Sequence, residues 1–228
     1  MQDIYLTERK IKKLEPLSDK SYGAYGKCYR YNGGVLKVFY DAISSRIESA
    51  IDKNIKRDSE IIFYPRSKLY MKSFSISRLK GYYMDEAPGI NLLTLRNNVI
   101  SGKQDLTFEE LLSIYYDCFI PKLRKEDILM DDLKLSHIFI DDNFYFTDTD
   151  LYMDGLASDS SIYEENLSQV NSLLFGFLGD IGEFFRYDYE CVGLSEENYF
   201  YRQISEIKRI TGNSVNTLRE FCEYKRRW

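Results

Sequence analysis

Near the middle of this 228-residue chain stands a run that leaves few architectures open: Asp131-Asp132-Leu133-Lys134-Leu135-Ser136-His137-Ile138-Phe139-Ile140, followed closely by Thr147-Asp148-Thr149-Asp150. An Asp-Leu-Lys ahead of a short apolar strand, then an acid at the end of the next strand, sets a proton acceptor and a cation-binding carboxylate one hairpin apart. Phosphoryl-transfer sites are laid out in this way, and they need particular parts upstream.

The first third reads as strands. Lys27 to Tyr31 and Val35 to Tyr40 are aromatic and β-branched runs joined by Asn32-Gly33-Gly34. Asn-Gly between such runs predicts a hairpin, because both residues tolerate positive φ. A helix follows, with Asp41 as its N-cap candidate and Ile43, Ile47, Ile51 and Ile55 as one apolar stripe, and Pro65 is expected to stop it. Lys68 to Phe74 and Arg78 to Asp85 are two further strand-like runs.

After Pro88-Gly89 the pattern turns helical. Thr107-Phe108-Glu109-Glu110 is a capping box opening a helix that carries Leu111, Leu112, Tyr115 and Phe119, and Pro121 should kink or end it. Ile138–Ile140 and Phe144–Thr147 form a short hairpin. Leu167, Val170, Leu173, Leu174, Phe177, Leu178 and Ile181 keep helical spacing, and Val215, Leu218, Phe221 and Cys222 mark a last amphipathic helix.

Charge and cysteine content narrow the functional classes. The net charge is 31 − 36 = −5, so no global basic field recruits nucleic acid. Lys10-Ile11-Lys12-Lys13 and Lys225-Arg226-Arg227 read as solvated terminal faces. Cys28, Cys118, Cys191 and Cys222 form no CxxC pair, and a single His cannot complete a usual zinc set; they are expected as reduced, mostly buried thiols. The first residues lack the apolar core of a signal peptide, and no stretch is long enough to span a bilayer, so a cytoplasmic protein without a membrane span is expected.

Several residues admit both a chemical and a plain structural reading. Gly23 and Gly26 can bring backbone amides close to phosphate oxygens, or simply serve a turn. Lys37 lies in an apolar strand, on the face of Val35 and Phe39; it either snorkels to solvent or stands over phosphates. An acid must then hold it, with Glu60 the first candidate and Glu48 the second. Asp132 can accept a hydroxyl proton, and Lys134 can offset transferred phosphoryl charge. Asp148 can ligate Mg²⁺, a hard, oxygen-seeking ion. His137 is either a metal-side ligand or loop scaffolding.

In this order, from about Leu17 to Leu178, these parts resemble the eukaryotic-like protein kinase fold. The resemblance implies an α+β, bilobal domain over residues 1–228. Its N-lobe, to about residue 86, would be an antiparallel β-sheet with one helix; its C-lobe, from about residue 90, would be helical and reduced. It makes Gly23 and Gly26 the glycine loop, Lys37 the strand lysine on the α/β-phosphates and Glu60 its helix partner. Tyr82 to Gly89 becomes the interlobe hinge, with Met84 near the gatekeeper position and the backbone of Asp85 and Ala87 on adenine. Asp132 matches the catalytic aspartate, Lys134 the lysine two residues later, and Asp148 the metal-binding aspartate, with Asp150 a second metal-side carboxylate.

The departures count as well. Met130-Asp131 replaces the His-Arg before the catalytic Asp, His137 replaces the metal-side Asn, and Asp148-Thr149-Asp150 replaces Asp-Phe-Gly. Bacterial lipopolysaccharide-core sugar kinases are similar in having His there. The resemblance therefore implies a phosphotransferase using ATP with Mg²⁺ or Mn²⁺ on a protein hydroxyl. The alternatives are a small-molecule or sugar kinase on the same fold and a nucleotide-binding pseudokinase acting as a signalling module.

Overall fold

The computed structural model describes residues 2–17, 26–73, 76–149, 153–154, 159–182 and 193–225. The fold is α+β, and the chain divides into two compact units, Met1–Ala87 with Thr147–Tyr152, and Pro88–Phe146 with Met153–Trp228.

The first unit is built on a five-stranded sheet. In chain order its elements are β1 (Ile4–Thr7), α1 (Glu8–Ile11), β2 (Gly26–Tyr31), β3 (Gly34–Phe39), α2 (Ser45–Asn54), β4 (Pro65–Ser73) and β5 (Ile76–Asp85). The strand order is β1-β4-β5-β3-β2. The expected hairpin is β2–β3, and its turn has Asn32 at φ 48° and Gly33 at φ 81°, the two left-handed residues that suit a right-twisted ribbon.

An all-antiparallel sheet with one helix needs correction. β1 joins β4 in parallel, Ile4 opposite Leu69, and the short α1 follows it, capped by the Thr7 hydroxyl on the Lys10 amide. The second helix also differs from expectation. Its N-cap is Ser44, not Asp41, and it ends at Asn54, well before Pro65, which instead opens β4. The Ser59 hydroxyl accepts from the amides of Ile61 and Ile62, closing a turn where a longer helix would have run.

β3 is buried along its whole length, and its alternation builds two cores. Leu36 and Val38 pack with Leu6, Ile11, Leu69 and Tyr83 on one face. Val35 and Phe39 pack with Ile51 of α2, Tyr82 and Met84 on the other. Lys37 lies on this second face.

The second unit contains β6 (Ile90–Asn91), α3 (Leu92–Ile100), α4 (Phe108–Ser113), a π-helical turn over Ile114–Phe119, and α5 (Ile120–Leu123). Then come β7 (Ile128–Leu129), β8 (Ile138–Ile140), β9 (Phe144–Phe146), β10 (Met153–Asp154), α6 (Asp159–Gly182), α7 (Tyr199–Ile210) and α8 (Leu218–Lys225). The capping box forms as expected: the Glu110 amide donates to the Thr107 hydroxyl at 3.1 Å, and the Thr107 amide donates to the Glu110 carboxylate at 2.8 Å. Pro121 does not end the helix. Its missing N–H is absorbed by the π-turn ahead of it, where the Ile120 amide reaches back to the Tyr115 carbonyl.

Leu167, Val170, Leu174, Phe177, Leu178 and Ile181 of α6 are buried as their spacing predicts. Phe119 sits among Tyr115, Phe144 and Phe146, with ring centroids 5.6–5.7 Å away. This aromatic block backs the β8–β9 hairpin. Of the thiols, Cys222 is buried while Cys28 and Cys118 are half-buried, which corrects the expectation of mostly buried cysteines; Cys191 lies outside the described residues.

Candidate functional site

Lys37 stands mid-strand in β3, and only 6 % of it is exposed. β5 closes up behind it: Tyr82 is its cross-strand neighbour, and at Gly81 a Cβ would run into the Lys37 carbonyl oxygen. The Lys37 ammonium lies 5.3 Å from the centroid of the Phe39 ring and 5.8 Å from that of Tyr82. Ring faces attract a cation, but they do not neutralise it. Neutralisation comes from Asp148, whose Oδ1 forms an ion pair and hydrogen bond with Lys37 Nζ. A cation this deep in the chain is tolerable only when paired. The snorkelling reading is thereby set aside.

Asp148 follows β9 by two residues and has φ 66°, a left-handed conformation that Asp adopts more readily than most side chains but still at some cost. Its side chain keeps 32 % of its surface exposed, so the carboxylate can be reached by another ligand. Next to it, Thr149 is fully buried, and its carbonyl accepts a 2.8 Å hydrogen bond from Asn54 Nδ2 at the end of α2.

Glu60 stands six residues past the end of α2, in an irregular segment, and is exposed; Glu48 is exposed in the first turn of α2. The acid of α2 nearest the sheet in function is Asp52, which pairs with Lys68 of β4. The inward polar residue of α2 is Asn54. Its signal was an uncharged amide three residues after Ile51, on the apolar stripe.

Gly26 opens β2 opposite Phe39, and a Cβ there would lie 2.6 Å from the Val38 carbonyl oxygen. Close strand packing therefore accounts for this glycine without any ligand. Gly23 and Asp150 lie outside the described residues. Met84 and Ala87 are buried, and Asp85 accepts a hydrogen bond from Arg66 Nε at 3.0 Å.

In the second unit, Asp132 has φ 53°, again left-handed. Lys134 Nζ donates to its Oδ2 at 2.7 Å, and both side chains are exposed. The loop is pinned at its base by Asn166 of α6, a fully buried side chain. Asn166 Oδ1 accepts from the Met130 amide and Nδ2 donates to the Ile128 carbonyl, both at 2.9 Å. β10 adds a second anchor by pairing with β7. At the other end the His137 amide donates to the Lys134 carbonyl at 2.8 Å, and half-buried His137 leads directly into β8. Asn166 was missed because a buried amide serving distant backbone has no local pattern in sequence.

The donor set can be tested against a divalent cation. Among the described residues no three of His, Cys, Asp or Glu converge as a metal cluster. A protein cage for Ca²⁺ or Zn²⁺ is not formed by those residues. Mg²⁺ needs less, since it keeps its waters and takes one or two carboxylates plus substrate phosphates. The accessible oxygen of Asp148 fits that requirement.

No protein-family model matches the chain, and no curated protein matches it. No helix among the described residues is long and apolar enough to cross a membrane.

Proposed function

We propose that the chain is an ATP-dependent phosphotransferase of protein-kinase-like, two-lobed fold, requiring Mg²⁺ or Mn²⁺ and acting on a hydroxyl group, most directly that of a protein. The observation that carries this reading is the buried Lys37 paired with Asp148, 111 residues away in sequence. A packed scaffold gains little from a buried ion pair, because desolvation offsets most of the attraction. A phosphate-handling site gains a cation and a metal-binding carboxylate, both held in a low-dielectric setting.

On this reading Lys37 holds α- and β-phosphate oxygens and Asp148 holds the cation, with His137 and Asp150 as further metal-side candidates. A divalent ion, when bound there, would supply positive charge to the phosphate oxygens. Asp132 orients the acceptor hydroxyl and takes its proton while the hydroxyl oxygen forms a bond to the γ-phosphorus. The bond from that phosphorus to the bridging oxygen breaks, and its electron pair leaves with ADP. Lys134 offsets charge on the transferring group.

A second reading, a nucleotide-binding pseudokinase, is favoured by the same pair: Lys37 already engages the carboxylate that the metal requires. A sugar or other small-molecule acceptor on the same fold is a third outcome, separated from the first by a substrate screen. Thermal melting with ATP and Mg²⁺ tests the nucleotide site shared by all three. A rise in melting temperature that Lys37→Ala weakens supports it, because a ligand that binds only the folded state stabilises it. No shift at millimolar ATP with either metal overturns it.

A further inference from the structure

Asn54 closes α2 after Ile47, Ile51 and a half-buried Ala50, on a helix whose inward stripe is otherwise apolar. Only 1 % of Asn54 is exposed. Packing of α2 on the sheet does not require an amide here; Ile51 and its neighbours already fill that face. Burying an amide costs free energy unless it finds a partner, and the partner it finds is the Thr149 carbonyl, the peptide directly after Asp148.

That peptide bears unusual demands. Asp148 is left-handed at φ 66°, and such a conformation persists only when its surroundings impose it. Thr149 is completely buried, and its hydroxyl Oγ1 has no hydrogen-bond partner, so the side chain does not itself anchor the segment through that group. Lys37 of β3 holds the Asp148 carboxylate, and Asn54 of α2 holds the carbonyl that follows it.

We propose that Asn54 is a positioning residue for the metal-side carboxylate: its amide fixes the Thr149 peptide and so holds Asp148 in the orientation that a divalent cation needs. This rests on the reading of Asp148 as a metal ligand. It gives α2 a role through an uncharged amide to backbone.

The test is the affinity for ATP in EDTA and in Mn²⁺, measured by calorimetry on the full chain for wild type, Asn54→Leu and Asn54→Gln. The readout is the ratio of the two affinities, which a general loss of packing does not change selectively. Asn54→Leu, with no donor, should reduce the Mn²⁺-dependent gain about tenfold, the worth of about one net hydrogen bond. Asn54→Gln, which keeps the amide, should recover part of it. An unchanged ratio in Asn54→Leu overturns the proposal and leaves the nucleotide reading standing. Absence of any Mn²⁺-dependent gain in wild type overturns both the proposal and the reading of Asp148 as a metal ligand. Should the variants not fold, the wild-type Asn54 side-chain amide decides by NMR: slow solvent exchange with a resonance shift on adding ATP and Mg²⁺ supports the role, and fast exchange or no shift contradicts it.

Discussion

The Lys37 ammonium of β3 and the Asp148 carboxylate are ion-paired with only 8 % of the lysine side chain exposed, against 32 % of the aspartate. The asymmetry gives the two partners different mutational signatures. Asp148→Asn takes a counter-charge away from a deeply buried cation, the costly way to break such a pair. Lys37→Met removes the cation and leaves a carboxylate that water can reach. Thermal melts should therefore show Asp148→Asn as the less stable variant, while both lose metal-dependent ATP binding. A larger loss from Lys37→Met would mean that the lysine stem, and not the ion pair, holds this region.

The two left-handed aspartates should divide the work. Asp132→Asn should leave ATP affinity nearly intact and lower turnover on the order of 10²–10⁴-fold, the usual cost of removing a positioned base. Asp148→Asn should lose the metal-dependent part of binding itself. Calorimetry and single-turnover assays on both variants check this; equal losses of binding would undo the assignment.

Asn166 anchors the Asp132 loop through two hydrogen bonds from a fully buried side chain. Asn166→Ala strands the Met130 amide and the Ile128 carbonyl, and should cost about 1–3 kcal/mol for each group left unsatisfied. Asn166→Asp keeps the acceptor for Met130 but sets a buried carboxylate against the Ile128 carbonyl, and should cost at least as much. Chemical denaturation of the two variants provides the comparison.

Much of this arrangement was legible in sequence because it is local. The Asn32-Gly33 turn, the Thr107–Glu110 box and the β8–β9 hairpin each follow from residues within a few positions. What escaped depends on distant partners. β1 is a four-residue strand whose identity comes from pairing with β4, about sixty residues on. α2 was drawn too long because nothing local announces that Ser59 captures two amides. α7 was overlooked since the polar Gln203, buried beside Phe200, Ile204 and Ile207, interrupts its stripe. Asn54 and Asn166 look like ordinary helical polar residues until the remote carbonyl that each one meets is known.

Away from these residues, Glu197 offers a pH-dependent check on the second unit. Its carboxylate accepts from the Tyr163 hydroxyl at 2.6 Å and from Arg124 Nε at 3.1 Å. The Tyr163 hydrogen bond first, and Arg124 with it, hold its pKa below the ordinary carboxylate value, against an opposing effect of burial. A depressed folded-state pKa adds stability that is present above the unfolded value and is lost as pH falls through the folded one. At neutral pH, Glu197→Gln should therefore melt slightly below wild type. The gap should be under about 1 kcal/mol for so exposed a pair, or no more than about 2–4 °C. It should close as the pH drops below about 4. A gap that persists in acid would assign the effect to packing.

The most direct measurement of the central claim is incubation of the chain with γ-labelled ATP and Mg²⁺ or Mn²⁺, following label on protein and release of labelled phosphate. Wild type should transfer or release label only with metal present, Lys37→Ala and Asp148→Asn should each abolish it, and Asp132→Asn should cut it on the order of 10²–10⁴-fold. Metal-dependent ATP binding without any label movement would leave a nucleotide-binding pseudokinase, and label movement that survives Lys37→Ala and Asp148→Asn would contradict the site itself.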